Sequence, residues 1–71
     1  MRGSLSDYDT LASALSALEM TEDDAPEWDA RFRDLYNAAL ACGYRAHPGQ
    51  TVREWSRIRV ATYHTMIRRA A

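Results

Sequence analysis

Apolar residues recur at spacings of three and four in the first segment of the chain, which is typical of one face of a helix. The stripe comprises Tyr8, Leu11, Leu15 and Leu18. Small polar residues, Asp9, Ser13 and Ser16, fall between its members and are expected to face solvent. Because Ser6 and Asp7 are both good N-caps, the pattern predicts a first helix over residues 7–19.

A second apolar stripe follows an acidic connection and predicts a longer helix. Its members are Trp28, Phe32, Leu35, Tyr36, Ala39 and Leu40. Asp24 precedes Ala25, Pro26 and Glu27, an order that favours a helix start with Pro in the first turn. Gly43 fits the position just past the helix end, with Tyr44 as its hydrophobic contact. The predicted helix spans residues 25–42.

The last third of the chain has a third amphipathic pattern. Pro48 and Gly49 break the chain before it, and Thr51 with Glu54 forms the sequence signature of a capping box. At 100° per residue, one side of a helix here is apolar and comprises Val52, Trp55, Tyr63, Met66 and Ala70. A basic stripe lies on nearly the opposite side and comprises Arg53, Arg57, His64 and Arg68. Arg59, on the apolar side, and Ile58, off it, fit badly. One continuous helix over residues 51–70 explains the remainder.

The same stretch also resembles the helix-turn-helix of small phage and bacterial regulators. The residues that carry the resemblance are Thr51, Glu54, Trp55, Ser56, Ile58, Thr62, Thr65, Arg68 and Arg69. It implies that Ser56 lies where two helices touch and that Ala61 and Met66 face the core. It also implies that Tyr63, His64, Ile67 and Arg68 face the major groove.

The stretch departs from the helix-turn-helix pattern at two positions. Val60 replaces the turn glycine, and a β-branched residue does not easily adopt the positive φ of that turn. Arg69 occupies a late core position of the pattern. We therefore place the single helix ahead of the helix-turn-helix and keep both as expectations.

Together the three patterns predict an all-α fold, a small three-helix bundle formed by residues 1–71 as one domain. A chain of 71 residues buries only about 60% of its unfolded surface, which favours self-association as a homodimer. One cysteine permits no intramolecular disulfide and suits a reducing compartment. Without a signal peptide or a long apolar run, we expect a cytoplasmic protein that does not enter the membrane.

Charge is divided unevenly along the chain. Residues 1–43 hold nine acids and three arginines, a net charge of −6, whereas residues 44–71 hold six arginines and the single acid Glu54, a net charge of +5. Lysine is absent, so every strong cation is a planar arginine suited to phosphates and carboxylates. The simpler interpretation is that the acidic and basic halves attract each other within the folded molecule, here called the complementary-field interpretation. The functional interpretation is that one charged end of the molecule binds a partner of opposite charge.

The sequence predicts no catalytic residues, no metal site and no cofactor. Cys42, His47 and His64 are the candidates for nucleophilic chemistry. Cys42 lies at a predicted helix C-terminus, where the dipole raises a thiol pKa, so we expect an inert, buried cysteine. Two histidines and one cysteine do not supply the spaced pairs of a metal site. The chain also has no glycine-rich phosphate loop.

Two functions remain near parity. The first is a nucleic-acid-binding regulator, with Arg53, Arg57, Tyr63, His64 and Arg68 as the contact residues. The second is a protein-binding adaptor or inhibitor, such as a small phage protein that blocks a host machine, with Asp23, Asp24, Asp29 and Asp34 as the contact residues. A purely structural alternative is a subunit whose third helix completes a dimer core.

Overall fold

Three helices in sequence form a bundle in the computed structural model, which describes residues 4–70. They are α1 (Leu5–Glu19), α2 (Trp28–Ala41) and α3 (Val52–Ala70). Within the described residues the only β-type pairing is an isolated bridge between His47 and Gln50, in the turn before α3. The predicted all-α three-helix fold is confirmed.

Helix α1 starts two residues before its predicted position. Ser4 is the N-cap, and its hydroxyl accepts from the backbone N–H of Asp7 at 3.2 Å. The Asp7 carboxylate accepts from the Ser4 N–H at 2.9 Å, which completes a capping box. The expected caps, Ser6 and Asp7, are therefore wrong: Ser6 lies within the helix, and Asp7 is the third helical residue of the box.

Helix α2 starts three residues later than predicted. Its N-cap is Glu27, whose side chain makes no capping bond. Residues 22–28 form successive turns, in which the N–H of Ala25 donates to Glu22 and that of Trp28 to Ala25. The prediction of Asp24 as the cap is therefore wrong. Residues 24–26 belong to these tight turns, and the first helical hydrogen bond runs from the Arg31 N–H to the Glu27 carbonyl.

The end of α2 follows the prediction. Gly43 has a φ of +96°, a conformation that L-residues adopt only with strain. Its N–H donates to the carbonyl of Leu40 at 3.0 Å, and the N–H of Tyr44 donates to Ala39 at 2.9 Å. This bond pair defines a Schellman motif, and Tyr44 is buried beneath it as the expected hydrophobic contact.

Helix α3 is continuous from Val52 to Ala70. Thr51 and Glu54 exchange the two bonds of the predicted capping box, at 3.0 and 3.1 Å. Val60 is helical, and within the described residues only glycines have positive φ. The turn that a helix-turn-helix requires at this position is therefore not formed, and the single-helix expectation describes the segment.

The core lies mainly between α1 and α2, with the first half of α3 closing it. All four members of the first stripe are buried, together with Leu35, Ala38 and Ala39 of α2 and Val52 and Trp55 of α3. Parts of the predicted stripes are not buried. Tyr36 and Leu40 are about 40% exposed, because three helices cover a narrower arc of α2 than its apolar residues occupy.

The second half of α3 extends past the other helices. Tyr63 is half-buried, but every other residue of the segment 61–70, here called the α3 end, is exposed. The predicted core positions Ala61, Met66 and Ala70 are therefore on the surface. Met66 and Ala70 are exposed because the neighbouring helix stops: Tyr63 already lies beside Tyr8, close to where α1 begins. Ala61 is exposed because it lies on nearly the opposite side of the single helix from Tyr63. Self-association, which would cover such residues, stays a prediction.

Candidate nucleic-acid interface

The contacts between α1 and α3 show that these helices run in opposite directions. Arg57, in the first half of α3, bonds Glu19 at the end of α1. Tyr63, in the second half, stacks on Tyr8 near the start of α1. The acidic connection after α1, residues 20–27, therefore lies at the opposite pole of the molecule from the α3 end.

Arg53 of the predicted basic stripe is held against the bundle. Its guanidinium carbon lies 6.0 Å from the ring centre of Trp28, at the start of α2. The side chain is half-buried, whereas its place on the basic stripe, opposite the apolar side, predicts exposure to solvent. The correction has a simple cause, because arginine covers apolar surface with its stem while its charged group stacks on an aromatic face.

Arg57 is engaged by an acid from the first half of the chain. Its Nε and Nη2 each lie 2.8 Å from Oε1 of Glu19. This is the one ion pair within 4.0 Å in residues 4–70, and it joins the acidic and basic halves as the complementary-field interpretation expects. A phosphate would have to compete with Glu19 for this guanidinium.

Tyr63, which the helix-turn-helix resemblance assigned to the major groove, packs against α1 instead. Its ring stacks on Tyr8 with centroids 6.0 Å apart and an interplanar angle of 11°. Its hydroxyl donates to the Asp9 carboxylate, and this hydrogen bond is the main cause of a pKa raised above its ordinary value near 10. Tyr63 is therefore the one residue of the α3 end that packs against the rest of the bundle.

His64 and Arg68, by contrast, are exposed, as the sequence predicted. The His64 ring lies 5.7 Å from that of Tyr63, which fixes its place at the base of the α3 end. Arg69 is also exposed, although the helix-turn-helix frame assigned it to the core. The sequence already indicated that Arg69 has no acidic neighbour on its own helix, because α3 contains no acid from Trp55 to Ala70.

The acids of the alternative protein-binding surface are also on the outside. Asp23 and Asp24 lie in the connection between α1 and α2, and Asp29 and Asp34 lie on α2, all exposed. Met20, the first residue of this connection, is 86% exposed. The structure thus presents an acidic surface with an apolar side chain beside it, a feature that the charge count alone did not reveal.

The three candidates for nucleophilic chemistry are only partly brought together. Cys42 and His47 line one cavity, and His64 lies outside it. No hydrogen bond joins Cys42 to either histidine in the described part of the chain. Burial, followed by the charge of Asp7, raises the thiol pKa despite an opposing effect of Arg59. The thiol is buried, as predicted, and a raised pKa disfavours the thiolate that a nucleophile requires.

Residues 4–70, which the structure describes, contain neither a metal-ligand cluster nor a membrane-spanning helix. No three His, Cys, Asp or Glu side chains are grouped so that they could hold a metal ion. None of the described helices combines the length and apolar content needed to cross a membrane.

Comparisons of the chain with protein-family models, with curated proteins and with solved structures find no match.

Proposed function

We propose that this is a small, non-enzymatic protein that binds nucleic acid through the α3 end. The observation that carries the proposal is an exposed helical segment with arginines and no acid. Arg68 and Arg69 lie in its last turn, and His64 lies one turn earlier on the same side as Arg68. Arginine is the cation best suited to phosphate, because its planar fork can donate two parallel hydrogen bonds.

The position of the acids supports this function. A phosphate backbone would be repelled by the acidic connection if the two were adjacent. Helix α3 has 19 residues and is about 28 Å long, and the acidic connection lies near its start. At physiological salt, charges are screened over about 8 Å, so the connection has little influence at the α3 end. Asp9, which accepts the Tyr63 hydroxyl, is nearer and keeps its negative charge, so it is the acid that opposes binding at this end of the molecule.

The contact residues are revised from those that the sequence suggested. His64 and Arg68 keep their proposed role, and Arg69 joins them. Arg53, stacked on Trp28, and Arg57, bonded to Glu19, contribute less because a nucleic acid would have to disrupt those contacts. Tyr63 positions the segment by packing against α1. Binding of this kind reads the phosphate backbone and depends strongly on salt.

Electrophoretic mobility shift with a pool of random genomic DNA fragments tests the proposal. The wild-type protein should shift the fragments at low salt and release them as salt rises. The double variant Arg68→Ala/Arg69→Ala should lose most of this binding. The matched control is Arg31→Ala/Arg33→Ala, which removes the same charge from exposed positions on α2. Equal loss in both variants would show that only net charge matters, and no shift at low salt would remove the proposal.

A second candidate function is binding of a basic protein partner by the acidic surface. The observation in its favour is Met20, 86% exposed beside the exposed acids Asp23 and Asp24. Asp29 and Asp34 extend the negative charge onto α2. Pull-down from the native host with and without nuclease separates the two functions. A nuclease-resistant complex lost in Asp23→Lys/Asp24→Lys but kept in Arg68→Ala/Arg69→Ala would favour this candidate.

A further inference from the structure

A cavity of about 450 Å³ lies on a different side of the molecule from His64 and Arg68. It forms where the start of α1, the end of α2, the connection after α2 and the middle of α3 meet. Three buried side chains supply an apolar floor, namely Tyr8, Cys42 and Trp55. Three exposed side chains supply the rim, namely Arg45, His47 and Arg59. Its volume is within the range of small-molecule sites.

The lining of this cavity has no acid, although two arginines and a histidine contribute to it. In the described part of the chain, neither Arg45 nor Arg59 has a carboxylate within 4.0 Å. Asp7 acts on Cys42 from nearby, but its carboxylate accepts the N–H of Ser4 and does not line the cavity. The cavity therefore has a positively charged rim with no acid in its lining, while the charge of Asp7 reaches its floor at Cys42 from outside.

Arg59 is the residue that did not fit the helical pattern of α3. It lies on the core-facing side, where its guanidinium carbon is 5.2 Å from the ring centre of Trp55. A guanidinium stacked on an indole keeps the N–H groups at its edge available for a planar anion. Arg45 donates one N–H, from Nη1, to the carbonyl of Tyr44 at 2.9 Å, so it is anchored while its other donors remain.

We propose that this cavity binds a small aromatic anion, a flat ring bearing one carboxylate or phosphate group. The anionic group would be held by Arg45 and Arg59, and the ring would lie against Trp55 on the apolar floor. A charge-assisted pair of this kind supplies both orientation and affinity. The site is independent of the α3 end, since Arg59 is roughly 140° around the helix from His64 and 180° from Arg68.

Titration by ¹H–¹⁵N NMR tests the proposal with a control built into the chain. Trp55 lines the cavity and Trp28 does not, so their two indole N–H signals report inside and outside the site. Benzoate and phenyl phosphate should each shift the Trp55 signal saturably at millimolar concentrations and leave Trp28 unchanged. The uncharged analogue benzamide should not. The stronger of the two anions identifies the preferred group.

Variants complete the test. Arg59→Met and Arg45→Met should each weaken binding by about tenfold or more, as expected when a charge-assisted hydrogen bond is lost. Arg33→Met, which removes an exposed arginine of α2 outside the cavity, should bind as the wild type does. Using two arginine variants guards against a folding defect in one of them, which circular dichroism would reveal. A shift that benzamide reproduces, or one that survives both arginine variants, would overturn the proposal.

Discussion

Arg57, in the first half of α3, forms an ion pair with Glu19, the last residue of α1. Both Nε and Nη2 of Arg57 lie 2.8 Å from the same carboxylate oxygen, Oε1. The pair links the acidic and basic halves of the sequence within one molecule. It also leaves Arg57 less available to a phosphate than the other members of the basic stripe, because Arg57 already has a negatively charged partner.

This pair should contribute little to stability. Its side chains are 54% and 36% exposed, and exposed ion pairs typically contribute about 0–1 kcal/mol. A double-mutant cycle with Arg57→Ala and Glu19→Gln, followed by urea unfolding, should give a coupling energy in this range that shrinks at high salt. A coupling of several kcal/mol, or one that salt leaves unchanged, would show that the pair is more enclosed than described.

Ser56 provides a second stability prediction. Its side chain is fully buried, and its Oγ has no hydrogen-bond partner. Ser56→Ala removes an unsatisfied hydroxyl from the core and improves helix propensity, so it should raise the free energy of unfolding by on the order of 1 kcal/mol. Ser56→Leu should instead destabilise by about 1–3 kcal/mol through overpacking. Thermal unfolding of the two variants checks both signs, and a destabilised Ser56→Ala would contradict the assignment.

Substitution of Gly43, the glycine of the Schellman motif that ends α2, should lower the stability of the protein. The φ of +96° at Gly43 penalises any side chain, so Gly43→Ala should cost about 1–2 kcal/mol. Gly43→Asn should recover part of the loss, because asparagine tolerates positive φ better than alanine. Urea unfolding measures both. Equal stability of Gly43→Ala and the wild type would mean that the chain leaves α2 by another path.

Tyr63 should titrate at higher pH than an ordinary tyrosine. Its hydrogen bond to Asp9 favours the neutral phenol and raises the pKa, with smaller contributions from desolvation and from the Asp9 charge. Because the folded pKa is the higher one, this stabilisation is complete below the unfolded value near 10 and is lost as pH rises through the folded pKa. NMR titration of the ring signals measures it. Asp9→Asn should bring the pKa back down, and an unchanged value would show that the bond is absent.

The helical stripes, the end of α2 and the start of α3 were predictable because they depend on neighbouring residues. The capping box of Thr51 and Glu54 and the glycine stop at Gly43 are local, and the structure has both. The start of α2 was not predictable, because proline is favoured both in tight turns and in the first turn of a helix, and here Pro26 lies in a turn.

The candidate site was harder to predict because it depends on where each helix ends in space. Helical periodicity placed Arg57 and Arg68 on one stripe, yet only the fold brings Glu19 to Arg57 and leaves Arg68 exposed. Arg59 was visible as a misfit in the pattern of α3. The reason for the misfit, a stacking contact with Trp55 beside a cavity, requires the connection after α2 to be in place.

The salt dependence of nucleic-acid binding tests the central claim most directly. Fluorescence anisotropy with a short labelled duplex gives Kd across a series of salt concentrations, and each phosphate contact contributes about 0.9 to the slope of log Kd against log salt. Arg68→Ala and Arg69→Ala should each lower that slope by about this amount, Arg57→Ala by less, and Arg31→Ala not at all. Absence of binding at low salt, or one common slope for all four variants, would contradict the claim that the α3 end binds nucleic acid.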